Sequence, residues 1–381
     1  MNILTVLVVM LIFWFITDTD NLLNIQPVNS IKWGRNKCAY VLGGMHDVYL
    51  KEHGMKHDSD WTFYYPCDYN NIDSEIKNMP VNTDTRYFIL SGADQICGKH
   101  YMWNHIVAYH GIEKAKLIAP ETFVLSNISD RLRLVNTHTE GQLYILKKNI
   151  QRQSGLDITD NINRLLKNDE NYVLAQKLLQ DPYTIKGRKI NLRVYSLVIC
   201  RQDHMNVYIY NDGFMYYTKK LFVKNSTDKD VNITTGYIDR QVYEENPLTH
   251  TLFKQYLDSD RQKYPVERLI ENMGLRISET VFKKIENLIA DVFLSVNGII
   301  NKKGSKLYNN ITFQLFGADV ALNNELQPMI MEINKGPDLD AKSKQDGILK
   351  YNLIKDTYTI LKGGDYKETG FIKVLATDHI Q

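Results

Sequence analysis

Polar and apolar residues alternate with period two along two long stretches of the chain, and each stretch predicts a strand with one chemical face. Across residues 187–198 (GRKINLRVYSLV), Lys189, Asn191 and Arg193 fall on one side, while Ile190, Leu192 and Val194 fall on the other. Residues 311–322 (ITFQLFGADVAL) predict a second strand. A short apolar run at 329–333 predicts a third that ends at Lys335-Gly336-Pro337, with Asn323-Asn324 as the turn between them. In that hairpin Glu332 and Asn334 share a face, and Asp319 on the neighbouring strand can look the same way. Shorter strands are expected at 39–42, 61–65, 87–90, 143–147, 172–178 and 205–210, helices at 45–52, 100–109, 279–296 and 351–361, and a polar loop at 219–246. Mixed elements of this kind predict an α+β protein with a ligand cleft between lobes. The expected parts are an N-terminal hydrophobic segment (1–20), a small α/β lobe (21–85), a central lobe (86–187), a C-terminal lobe (188–365) and a tail (366–381).

The first residues break this pattern. Residues 3–16 (ILTVLVVMLIFWFI) are apolar apart from Thr5 and are followed by Asp18 and Asp20. The run is shorter than the ~20 residues that span a bilayer, and it lacks the basic flank and small-residue cleavage site of a signal peptide. We read it as a short transmembrane or membrane anchor, with a cleaved signal and a buried strand as the other readings. Lys32, Arg35 and Lys37 follow it, which puts the main domain on the cytosolic side. Without an anchor the chain would be a soluble cytoplasmic protein.

Composition narrows the partners. Lys plus Arg total 46 against 44 for Asp plus Glu, so no overall field recruits nucleic acid, and any polyanion must be met by a local patch. Cys38, Cys67, Cys97 and Cys200 lie far apart without CxxC spacing, which indicates neither a zinc site nor a disulfide scaffold. His53 and His57 read as a surface pair rather than metal ligands.

The candidate chemistry sits on the alternating strands. Asp319, Glu332 and Asn334 are hard oxygen donors suited to Mg²⁺, which keeps several waters and shares its remaining positions with phosphates. Lys189 and Arg193 on one strand face can grip a polyphosphate, although a solvated edge strand would look similar. YILK ends in Lys147, and residues 148–155 follow it as a polar lid. Gln176 and Lys177 lie on an apolar strand from which they could reach an adenine edge. Lys219, Lys220 and Lys224 offer a docking patch or simply a solvated loop.

The ordered set YILK, LAQKLLQDPYTIKGRKINLRVYSLV, YNDGF, FQLFGADVAL and MEINKGP, over residues 86–361, resembles the tubulin–tyrosine ligase family. The resemblance implies an ATP-grasp fold holding nucleotide between two α/β lobes. It also implies ATP- and Mg²⁺-dependent joining of a free amino acid (Tyr, Glu or Gly) to a protein carboxylate through an acyl phosphate, on tubulin or another protein with an acidic tail. Carried over by position, Lys147 and Lys189 would meet phosphates, Gln176 and Lys177 the adenine, and Arg193 the phosphate and acyl-phosphate region. Asp319, Glu332 and Asn334 would hold metal. Lys99, Arg152, Gly155 and Asn191 complete the nucleotide set, with Arg193, Lys189 and Glu332 nearest the chemistry. Four positions depart from the family pattern: Asn191 replaces Asp, Gln153 replaces Gly, Tyr216 replaces Arg and Thr235 replaces Asn. These departures point to the alternative, a nucleotide- or tubulin-binding member without catalysis.

Overall fold

The computed structural model describes residues 23, 25–27, 32–35, 43–53, 56–57, 61–66, 72–82, 85–98, 100–148, 155–236 and 238–378. The two alternating stretches form its longest strands and lie side by side. β10 (Arg188–Arg201) and β14 (Ile311–Leu322) pair antiparallel from Asn191 opposite Ala321 to Cys200 opposite Thr312. They form the centre of a mixed sheet that runs β13 (Thr234–Thr235), β12 (Phe214–Thr218), β10, β14, β4 (Arg86–Tyr87), β3 (Phe63–Tyr65), β1 (Lys32–Arg35) and β2 (Lys56–His57). Off this path, β9 (Thr184–Ile185) and β11 (His204–Tyr210) pair with β10, β16 (Phe371–Asp378) with β11, and β15 (Pro328–Asn334) with β14.

Both faces of the central strands are covered, which is why β14 reads as nearly continuous apolar sequence. On one face Ile190, Leu192 and Val194 meet Phe316, Ala318 and Val320 under the helix Ile277–Leu294, whose Val281, Ile285, Ile289 and Val292 recur at helical spacing. On the other face Tyr195, Leu197 and Ile199 pack with Phe313 and Leu315 against Leu353, Ile354 and Tyr358 of the helix Lys344–Leu361. That helix begins at Ser343, whose side chain accepts the Asp346 N–H. Arg86, buried in this layer, donates from Nε to the carbonyl of Leu361 at 2.7 Å and from Nη2 to that of Gln26.

A second, antiparallel sheet runs β5 (Thr122–Val124), β8 (Leu174–Lys177), β6 (Tyr144–Lys147) and β7 (Leu156–Thr159). Phe123, Leu134, Tyr144, Leu146 and Ala175 give it a core of its own. The chain is therefore mixed α+β.

Several local expectations change. The stretch 219–246 carries the short helices Lys229–Asn232 and Arg240–Glu245, capped by the carboxylates of Asp228 and Asp239. Such segments are too brief to show a period. The turn after β14 spans 323–327, with Asn323 Oδ1 accepting from the N–H groups of Glu325 and Gln327 at 3.0 and 2.8 Å. The stretch read as a tail contains β16. The membrane and transmembrane assignment is corrected, because no helix among the described residues is long and apolar enough to cross a membrane. Residues 3–16, on which that assignment rested, and the strand expected at 39–42 lie outside the described residues.

Candidate functional site

Sheet register builds one wall of the site. Asp319 lies opposite Arg193 across β14 and β10 and opposite Glu332 across β14 and β15, so three adjacent strands carry Arg193, Asp319 and Glu332 in a row. A bulge between Asp319 and Val320 shifts the register at this point. The Arg193 guanidinium donates from Nε to Asp319 Oδ1 at 2.7 Å and from Nη2 to Oδ2 at 3.2 Å, a two-point clamp. Its Cζ lies 5.0 Å from the centre of the Tyr216 ring, and Tyr216 is the cross-strand partner of Asn191. Gly317 makes room for this packing: a Cβ there would sit 2.9 Å from Arg193 Nη1. Asn334 Nδ2 donates to Glu332 Oε1 at 3.1 Å.

The same register concentrates two carboxylates on this wall. Burial pushes the Asp319 carboxyl up to about 7 against the pull of Arg193, and the neighbouring Glu332 adds to the push. Burial also acts on Glu332, but Lys147, Asn334 and Arg193 hold it below the ordinary carboxylate value, and its side chain remains accessible to solvent. Two carboxylates beside an amide oxygen form a hard donor set whose mutual repulsion a divalent cation would relieve, so these residues fit Mg²⁺. Among the described residues no group of three or more His, Cys, Asp or Glu converges on a metal position. Water and phosphate oxygens would have to complete the coordination shell.

The second wall comes from the small sheet. Lys147, at the end of β6, donates from Nζ to Gln176 Oε1 on β8 at 2.9 Å, and its charge is felt by Glu332. Gln176 is buried and donates from Nε2 to Thr122 Oγ1 at 3.0 Å. Lys177 is engaged by Glu121 at 2.8 Å, and Arg133 holds the same carboxylate at 2.7 Å. Lys189 differs from all of these. It is 3 % exposed, has no acidic partner among the described residues, and burial pushes its ammonium down to about 8.

Of the residues expected in the site, the structure gathers Asn191, Arg193, Asp319, Glu332 and Asn334 on the large sheet and Lys147, Gln176 and Lys177 on the small one. Lys99 and Arg152 lie outside the described residues. Gly155 follows the undescribed part of the 148–155 loop, and its carbonyl accepts the Lys148 N–H at 2.9 Å. The Asn191 Oδ1 is buried without a hydrogen-bond partner among the described residues. Lys219, Lys220 and Lys224 are ion-paired with Asp230, Asp228 and Asp181, which neutralises the expected docking patch. Glu121, Thr122 and Arg133 escaped sequence reasoning, because β5 is only three residues long and its partner strand lies some fifty residues away. Two concavities among the described residues lie elsewhere, one of about 330 Å³ beside Met45 and Tyr351 and one of about 30 Å³ beside His250. Charge and register mark this site.

A family model described as "Tubulin-tyrosine ligase family" matches residues 79–366. The chain is 31% identical over 198 residues to "Probable tubulin polyglutamylase TTLL9" of Rattus norvegicus, covering 50% of this chain and 39% of that protein. It is 22% identical over 322 residues to "Tubulin polyglutamylase TTLL6" of Homo sapiens, covering 80% and 34% respectively. To "Tubulin monoglutamylase TTLL4" of Mus musculus it is 23% identical over 280 residues, covering 70% and 22%. The chain thus spans at most 39% of the length of these three relatives.

Proposed function

The chain belongs to the tubulin-tyrosine ligase family, and from this premise we propose that it is an ATP-dependent ligase of the ATP-grasp type joining an amino acid to a carboxylate of a tubulin-like acidic segment. Glutamate is the proposed amino acid, after the printed names of the polyglutamylase and monoglutamylase relatives. Tyrosine and glycine are the other substrates the resemblance admits.

The observation that carries this reading is Lys189, a buried ammonium without an acidic partner among the described residues, on the same strand as Arg193, whose row across the sheet continues with Asp319 and Glu332. A buried charge is costly unless something compensates it, and the phosphates of ATP would. Transfer of the ATP γ-phosphoryl group to the acceptor carboxylate would release ADP and give an acyl phosphate, and the amine of the incoming amino acid would then attack the acyl carbon and displace inorganic phosphate. Asp319, Glu332 and Asn334 would hold magnesium, which would supply charge neutralisation during phosphoryl transfer. Lys147 and Lys189 would hold phosphate oxygens from opposite walls. Arg193, kept flat by the Asp319 clamp and the Tyr216 ring, would present its guanidinium edge to the transferred phosphoryl group.

The test is ATP-dependent incorporation of labelled glutamate into tubulin tail peptides, with tyrosine and glycine in parallel and Glu332→Gln as control. Incorporation of glutamate that the control loses supports the proposal. Tight Mg-ATP binding without transfer of any amino acid would favour the binding-only alternative, which the neutral pair Asn191 and Tyr216 already favours.

A further inference from the structure

Three polar groups beneath Lys147 form a chain with one direction. The Thr122 hydroxyl donates to the carbonyl of Pro120 at 3.0 Å, so its oxygen is left to accept the Gln176 Nε2 hydrogen at 3.0 Å, and Gln176 Oε1 is thereby turned toward the Lys147 ammonium at 2.9 Å. Thr122 and Gln176 are direct cross-strand partners on β5 and β8, 1% and 3% exposed. Flipping the amide would aim NH₂ at an ammonium and a carbonyl at a hydroxyl oxygen whose hydrogen is already used. The Pro120 carbonyl can only accept, which fixes the direction of the whole relay.

We propose that Thr122 is a positioning residue which, through the Gln176 amide, fixes the Lys147 ammonium in the cleft facing Glu332, where it meets nucleotide phosphates. The inference rests on the ATP-binding reading above and changes the role of Gln176. Each end of its amide has a partner within the protein, so it sets a phosphate contact through Lys147, a role apart from the adenine contact that the resemblance implied.

Thr122→Val removes the hydroxyl at nearly constant volume, and Thr122→Ser retains it. In the valine variant ATP binding should weaken about tenfold, the worth of a hydrogen bond to a charged group, while adenosine binding stays unchanged. In nucleotide-free protein, mass-spectrometric footprinting with an amine-acylating reagent should show Lys147 reacting several-fold faster in the valine variant and at the native rate in the serine variant. Equal losses for ATP and adenosine would overturn the proposal, as would an unchanged Lys147 labelling rate. Gln176→Leu carries the same expectations should Thr122→Val fail to fold. If the native protein bound no nucleotide, the ligase reading would fall, and Lys147 labelling would still decide the role of Thr122.

Discussion

Lys177 and Lys189 look alike in sequence, each a lysine in an apolar strand, yet the two sheets treat them in opposite ways. The small sheet pairs Lys177 with a carboxylate that Arg133 also holds, so its charge is balanced before any ligand arrives. The large sheet buries Lys189 and leaves it without an acid among the described residues. A balanced pair contributes to the fold, whereas an unbalanced buried charge costs stability and recovers that cost only when an anion binds. Of the two lysines, Lys189 is the one whose charge the fold leaves for a ligand.

The sharpest way to break this comparison is Lys189→Met. ATP affinity should fall at least about 100-fold while the nucleotide-free protein becomes more stable, because an apolar side chain replaces an uncompensated charge. Calorimetry and thermal denaturation read the two effects, and a destabilised variant with native ATP affinity would reverse the roles assigned here. Next in size, Asp319→Asn should destabilise the fold by about 3 kcal/mol, since Arg193 would lose its buried counter-charge. Glu332→Gln, whose side chain is accessible, should cost no more than about 0.5 kcal/mol. Both substitutions should abolish transfer. Urea unfolding beside the transfer assay separates the structural carboxylate from the one that serves only the site.

The comparison also predicts two opposed pH trends. Lys189 titrates at about 8 in the fold against 10.5 ordinarily, so between these values the unfolded chain binds more protons and stability rises with pH. Nucleotide affinity should move the other way, falling about tenfold from pH 7 to pH 9 as the ammonium loses its proton, with proton uptake on binding above pH 8. Lys189→Met should flatten both trends. A smaller effect is expected where the family pattern is broken. Asn191 and Tyr216 face each other, so Asn191→Asp or Tyr216→Arg alone would add a charge without its cross-strand counterpart. The double variant should recover several-fold of the ATP affinity that each single change loses, measured as a double-mutant cycle. The least effect should come from Lys177→Met, within about twofold in ATP affinity, because Glu121 already neutralises that lysine.

The large-sheet wall was legible because alternation sorts β10 into a charged and an apolar face. Ile190, Leu192 and Val194 do enter the core beneath Lys189, Asn191 and Arg193. The hairpin of Asp319 and Glu332 was legible for the same reason, since period two and a short connection leave few registers. Hidden from sequence was everything set by pairing between distant strands. The Arg193 clamp on Asp319 spans 126 positions and the Thr122 bond to Gln176 spans 54, and no local pattern reports either. Burial of Lys189 was equally invisible, because a lysine between Arg188 and Ile190 at the start of an alternating strand reads the same at a solvated edge as inside a cleft.

Arg86 has a consequence for how the chain is made. Its guanidinium holds the carbonyl of Leu361, 275 residues further on, together with that of Gln26. At about 5–20 residues per second, a ribosome exposes Arg86 roughly 15–55 s before Leu361 is synthesised. For most of that interval β3 and β4 have neither this bond nor β14 beside them, so the early segments wait for the late ones before they can settle into their native layer.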